Sequence, residues 1–150
     1  YTFYDGGQVC HISMADPFCP ELRDIASNSI KKLKFPLHIE EATYVCIEGP
    51  RFSTRAESKF FRNIIGAEII GMTLVPEVSL AREAEICYLS IATVTDYDVW
   101  ADQPVSSAEI IEMLAKNVEK TKKLIADLVP AIPAERIKCT CGRALEGALL

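Results

Sequence analysis

Ile86-Cys87-Tyr88-Leu89-Ser90-Ile91-Ala92-Thr93-Val94-Thr95 is an almost unbroken apolar and β-branched run, and Asp96-Tyr97-Asp98 follows it directly. A continuous run of this kind, without polar alternation, predicts a central strand covered on both faces. The flanking segments alternate in type. Pro20 to Lys34 predicts a helix, with Leu22, Ile25, Ala26, Ile30 and Leu33 at helical spacing and Lys31, Lys32 and Lys34 at its end. Phe35-Pro36 stops it. Thr43 to Ile47 predicts a strand, and Ala67 to Met72 a short buried one. Thr54-x-x-Glu57 is a capping box that opens a helix to about Ile64, and Pro76 to Glu85 predicts another. Ser106-x-x-Glu109 is a second capping box. It opens a long helix whose Ile110, Ile111, Leu114, Val118, Ile125 and Leu128 share one face, and Pro130 and Pro133 end it. Strand and helix in alternation imply an α/β fold with a largely parallel sheet.

The chain has 150 residues, 49% of them hydrophobic and 25% charged. That is enough apolar surface for a core, and it excludes disordered and disulfide-scaffold classes. A net charge of −5 without a basic stripe argues against a nucleic-acid partner. No apolar run approaches the ~20 residues that cross a bilayer, so no membrane role is expected. Tyr1 stands where Met would, and Tyr1 to Gly7 has no signal-peptide pattern. The chain reads as one that starts partway along a longer, cytoplasmic polypeptide.

Six cysteines are present. Cys46 and Cys87 lie in apolar segments and read as buried free thiols before disulfide partners. Cys139-Thr140-Cys141 is a weak metal signal, because structural zinc takes four ligands and the sequence offers only His11 and His38 besides. A disulfide between Cys139 and Cys141 would close a small, strained ring. Intracellular disulfides are rare outside hyperthermophiles.

Ligands of α/β sheets bind in the loops beyond the strand ends. Three loops qualify: 49–53, 71–76 and 95–100. Asp96 and Asp98 leave the most apolar segment; a carboxylate against apolar walls holds a proton and serves as a general acid, though loop capping would use the same residues. In Gly49-Pro50-Arg51-Phe52-Ser53, Phe52 suits stacking on a planar ligand or stapling the next helix. Gly71-Met72-Thr73 suits an anion at a helix start or simple capping. His11, taken alone, reads as structural.

Together these segments resemble the 5′-methylthioadenosine phosphorylases, of the trimeric class of purine nucleoside phosphorylases. The matching strings run in order: Phe3-Tyr4-Asp5-Gly6, Cys10-His11-Ile12 through Pro20, Ile47 through Ser53, Met72-Thr73 with Val75-Pro76-Glu77-Val78, and Thr95-Asp96-Tyr97-Asp98 with Trp100. The resemblance covers residues 3 to about 128 and implies a phosphorylase/hydrolase-like α/β fold, a mixed central sheet flanked by helices. It implies phosphorolysis of 5′-methylthioadenosine to adenine and 5-methylthioribose 1-phosphate, with inorganic phosphate as co-substrate and no other cofactor. By that resemblance Asp96 is the catalytic acid at purine N7 and Asp98 accepts from the 6-amino group, with Tyr97 between them. Phe52 and Ser53 take the base, Met72 the ribose and Thr73 the phosphate. Ser107, Ile110 and Ile111 line the pocket for the 5′ group. His11 reaches the site of a neighbouring subunit in a trimer or dimer of trimers. Asp96 and Ser53 favour 6-amino over 6-oxo purines, since a 6-oxo group would set an acceptor against a carboxylate.

Members of that family are roughly twice this length. Their glycine-rich phosphate loop and Arg-His pair are absent from these residues, which therefore read as the C-terminal half of one phosphorylase domain. The tail 134–150, with Cys139 and Cys141, resembles those of archaeal members. Two other readings remain: a phosphorylase of broader purine nucleoside range, and a non-catalytic nucleoside-binding or oligomer-forming fragment.

Overall fold

Pro20 occupies the first turn of α1 (Pro20–Lys32), where a missing N–H costs nothing, and Glu21 and Lys31–Lys32 complement the helix dipole at its two ends. The computed structural model describes residues 1–38, 41–98 and 107–150; the side chains of Ser107 and Glu109 fall outside that description, as do Trp100 and Ser106. The second predicted capping box thus lies outside the described residues. The chain divides into two compact units, Tyr1–Leu37 with Leu74–Ile91 and Leu124–Leu150, and His38–Thr73 with Ala92–Lys123.

The first unit is built on α1. Ala26 and Ile30 pack against Leu124 and Leu128, with Ile25, Leu33 and Leu89 around them. Full burial of a large apolar side chain such as Ile30, Leu124 or Leu128 contributes about 1.5–3 kcal/mol. A second buried group comes from α3 (Leu74–Glu83), whose Leu74, Val78 and Ala81 are buried. Glu83, also buried, accepts from Thr2 Oγ1 at 2.8 Å and the Phe3 N–H at 2.7 Å. Those bonds meet the desolvation cost of its carboxylate and fasten the amino-terminal segment, residues 1–6.

The end of the chain is pinned in the same unit. The Glu21 carboxylate accepts the backbone N–H groups of Ile137 at 3.1 Å, Cys139 at 2.7 Å and Lys138. Leu145 N–H donates to Glu85 Oε1 at 3.1 Å, and Cys10 and Leu149 form an antiparallel bridge. Residues 134–150, read from sequence as a tail, are therefore held along their length.

The second unit holds the sheet of the described residues. β1 (Tyr44–Cys46) and β2 (Ile69–Gly71) run parallel, with Tyr44 opposite Ile69 and Cys46 opposite Gly71. α2 (Arg55–Phe60) starts at Thr54, where both halves of the predicted capping box are present. A single π turn, Phe61–Ile65, continues it to Gly66 in the left-handed region. α4 (Ser107–Leu128) gives its first turns to this unit and its last to the other.

Two expectations about these elements need correction. Residues 86–95 are not a strand. Their backbone finds isolated partners instead: the Tyr88 carbonyl accepts the Cys19 N–H at 2.8 Å and the Val94 carbonyl accepts Asn117 Nδ2 at 3.1 Å. An apolar run becomes a strand only when neighbours take its alternate N–H and C=O groups, and no described residue supplies a ladder. Among the described residues the sheet is one parallel pair, consistent with the α/β class. On α4, Ile111, Leu114, Val118 and Ile125 are exposed, and Leu124, outside the predicted stripe, is buried beside Leu128.

Cys139 and Cys141 are not bonded to each other. All six cysteines are free thiols. Cys139 and Cys141 gather instead with Cys19 and Cys87, their four Sγ atoms all within 4.8 Å of one another. Burial pushes the Cys141 thiol up to about 12, helped by its hydrogen bond with Cys19 and the negative charge of its neighbours. Burial also raises Cys87, but hydrogen bonds from Arg136 and from the other three thiols outweigh it and hold Cys87 below its ordinary value.

Candidate functional site

Two of the three predicted loops leave the sheet side by side. Cys46 pairs with Gly71 at the carboxyl ends of parallel strands, and the Ile47 N–H reaches the Gly71 carbonyl at 2.9 Å. The loop carrying Phe52 and Ser53 and the loop carrying Met72 and Thr73 therefore start as neighbours, where α/β sheets place ligands. Gly49 has φ 69°, and a Cβ there would stand 2.6 Å from Met72 Sδ. Met72 lies across that glycine, so the backbone of the first loop forms a wall for the side chain of the second.

Phe52 is 48% exposed and Ser53 only 7%. The Phe52 ring is thus free to meet a ligand face, and it does not act as the buried staple that the sequence also allowed. Ser53 Oγ is buried and has no hydrogen-bond partner among the described residues. It lines a cavity of about 200 Å³ with Glu48, Arg51, Glu57 and Phe61. A buried hydroxyl without a partner costs about 1–3 kcal/mol, and a ligand atom at that point would relieve it.

Arg51 is committed. Its Nη1 donates to Glu57 Oε2 at 2.9 Å and its Nη2 to Glu57 Oε1 at 2.8 Å, a two-point fork. The Arg51 hydrogen bond, with help from the Thr54 N–H and hydroxyl, holds the Glu57 carboxyl down at about 2. The pair braces the loop against the start of α2.

The third loop is tied to the same unit by a residue that sequence reading missed. Ser58, buried on α2, donates from Oγ to Asp98 Oδ2 at 2.5 Å. Its only sequence signal is its place one residue beyond the capping box. Asp96 accepts the Asp98 N–H on Oδ1 at 2.8 Å and the Thr95 hydroxyl on Oδ2 at 2.7 Å. This is a side-chain-to-backbone turn of the kind Asp favours, and it sets Asp98 in the left-handed region at φ 57°. Loop capping, one of the two readings of this carboxylate pair, is therefore present. The apolar walls expected around Asp96 are not: the residue is exposed among the described residues.

Thr73 and Tyr97 are exposed, Ile110 is half-buried and Ile111 exposed. Ser107 is the first residue of α4, with its side chain outside the described residues. His11 belongs to the other unit; it is exposed, and its N–H donates to the Ala148 carbonyl at 2.8 Å. No described helix is long and apolar enough to cross a membrane.

Residues 1–130 match the phosphorylase superfamily. The S-methyl-5′-thioadenosine phosphorylase of Thermofilum pendens is 63% identical over 150 residues, covering 100% of this chain and 56% of that protein. A methylthioadenosine phosphorylase from an Antarctic soil metagenomic library superposes with a TM-score of 0.86 at 44% identity, over 99% of this chain and 53% of that one. A double mutant of the adenosine/methylthioadenosine phosphorylase of Schistosoma mansoni, solved with adenine, gives 0.85 at 36% identity over 96% and 59%. The chain spans about half the length of the curated relatives it matches.

Proposed function

The chain belongs to the phosphorylase superfamily, and we propose that it supplies the base and ribose side of a 5′-methylthioadenosine phosphorylase site, the remaining length of such a protein bringing most of the phosphate side. The observation that carries this reading is the Asp96–Asp98 turn, held by Ser58 in the unit where Phe52, Ser53 and Met72 lie.

The reaction breaks a bond between ribose and a poor leaving group. Adenine leaves easily only if N7 gains a proton as the glycosidic bond lengthens. In this proposal Asp96 delivers or shares that proton, turning from its Thr95 and Asp98 contacts toward the base. Asp98, positioned by Ser58 on one oxygen, keeps the other for the 6-amino group. Phe52 lies on the base, Ser53 gives its unpartnered hydroxyl to the base edge, and Met72 packs under the ribose. Thr73 binds a phosphate oxygen. Ile110 and Ile111, with Ser107, receive the methylthio group, whose transfer from water favours an apolar pocket. His11 completes the site of an adjacent subunit in a trimer. Phosphate is the co-substrate and the setting is cytoplasmic purine salvage.

The adenosine/methylthioadenosine activity named for the Schistosoma relative supports a second reading, a phosphorylase of wider 6-aminopurine range. Phosphorolysis of methylthioadenosine, adenosine and inosine by the full-length polypeptide separates the two. General acid catalysis contributes about 10²–10⁴-fold, so Asp96→Ala is expected to remove activity by that factor. Equal rates on inosine and methylthioadenosine would overturn the specificity argument. Turnover by the isolated 150-residue chain would overturn the division of the site between two halves.

A further inference from the structure

None of residues 1–16 is buried, so the core of the first unit does little to order this segment. It is nevertheless held on both sides of His11 by the last two residues of α3. Both oxygens of the buried Glu83 are taken by its start: Oε1 accepts the Thr2 hydroxyl at 2.8 Å and Oε2 the Phe3 N–H at 2.7 Å. The Thr2 oxygen in turn accepts the Tyr4 N–H at 3.0 Å. Beyond His11, Arg82 donates from Nε to the Ser13 carbonyl at 3.2 Å. Between these two holds the Val9 carbonyl accepts the Leu150 N–H at 3.0 Å, and the His11 N–H donates to the Ala148 carbonyl at 2.8 Å. The backbone of His11 is therefore fixed while the residue stays exposed.

We propose that Arg82 and Glu83 are positioning residues: the end of α3 brackets the segment around His11 and sets that imidazole for the nucleoside of an adjacent subunit. The role of His11 is the one given by the phosphorylase reading above, on which this assignment rests. Ordering an exposed segment costs conformational entropy at every residue, and burying a carboxylate costs desolvation. Both costs are met here for a stretch that carries no core side chain, and the one histidine it does carry sits between the two holds. Hydrogen bonds to a carboxylate or from a guanidinium are the stronger and more directional kind. They suit the task, because a group that completes a site on another subunit must be held in place by its own chain before the two surfaces meet. Neither Arg82 nor Glu83 touches substrate in this scheme; both act through His11.

Phosphorolysis of methylthioadenosine by the full-length polypeptide, with Arg82→Met, Thr2→Val and Glu83→Gln each made alone and together with His11→Ala, tests this. His11→Ala alone is expected to raise KM by about 10-fold and to change kcat by less than about 3-fold. Arg82→Met and Thr2→Val are each expected to raise KM by about 3–10-fold, with kcat again little changed. Arg82→Lys is expected to recover most of the Arg82→Met loss, because an ammonium still offers a donor to the Ser13 carbonyl. In the His11→Ala background the same substitutions are expected to change KM by less than about 2-fold, the non-additivity of residues that act through one another. Thr2 is exposed, so Thr2→Val keeps the test open even if Glu83→Gln fails to fold. Equal losses with and without His11 would overturn the positioning role and leave the placing of His11 standing. An unchanged KM in His11→Ala would instead overturn the placing of His11, and the role of the bracket with it.

Discussion

Ser58 Oγ lies 2.5 Å from Asp98 Oδ2, so a hydroxyl buried on α2 holds a carboxylate in a loop 40 residues further along the chain. A hydrogen bond to a charged acceptor contributes about 1.5–3 kcal/mol. Ser58→Ala is expected to cut kcat/KM of the full-length protein for 6-aminopurine nucleosides by about 10–100-fold, as those energies imply. The loss on 6-oxo nucleosides is expected to be smaller, because Asp98 makes no favourable contact with a 6-oxo group. Steady-state kinetics on both substrate types test this; equal losses would assign Ser58 a purely structural role.

Ser53 predicts the opposite balance of stability and binding. Its hydroxyl is buried and has no partner among the described residues, so Ser53→Ala removes an unsatisfied group. Thermal unfolding of the free protein is expected to be unchanged or slightly raised, while KM for the nucleoside rises by a few-fold and kcat changes little. A clear fall in Tm would show that the hydroxyl already has a partner in the free protein.

The Arg51–Glu57 fork carries a pH signature. Glu57 sits at about 2 against an ordinary carboxyl value of 4.5. A depressed carboxyl stabilises the folded state fully above its unfolded value and loses that contribution as pH falls through the folded one. The contribution of the pair to stability is therefore expected to be complete above about pH 4.5 and lost between there and about pH 2. Carbon-detected titration of Glu57 checks the midpoint. Arg51→Met, which removes the first cause of the shift, is expected to move that midpoint up toward 4.5.

Gly49→Ala tests the wall between the two strand-end loops. Alanine at φ 69° costs about 1 kcal/mol in backbone strain. Its Cβ would also press on Met72 Sδ, the flexible end of a side chain that must move aside. A Tm drop of a few degrees, with a larger proportional rise in KM than fall in kcat, is expected. A variant with normal KM would show that Met72 does not contribute to the site.

Much of the local structure was legible without coordinates. The capping box Thr54-x-x-Glu57 starts a helix because two side chains satisfy the first free N–H groups, and both contacts are three residues apart in sequence. α1, β1, β2 and α3 lie within their expected segments or overlap them closely, since propensity, periodicity and proline placement are properties of neighbouring residues. The loop motifs and the family they indicate were legible in the same way. The run 86–95 failed as a strand because a strand is a property of two chains of hydrogen-bonding groups, and its sequence describes only one.

The sequence by itself determined the succession α1, β1, α2, β2, α3 and α4, the three candidate loops and the kinship with phosphorylases. Tertiary structure alone decided that Ser58 holds Asp98. It also decided that Cys139 and Cys141 face Cys19 and Cys87 rather than each other. The physical reason is range: caps and apolar periods act over three or four residues, whereas these side chains meet only after the chain has reversed direction several times and carboxylates such as Glu21 have pinned its distant end.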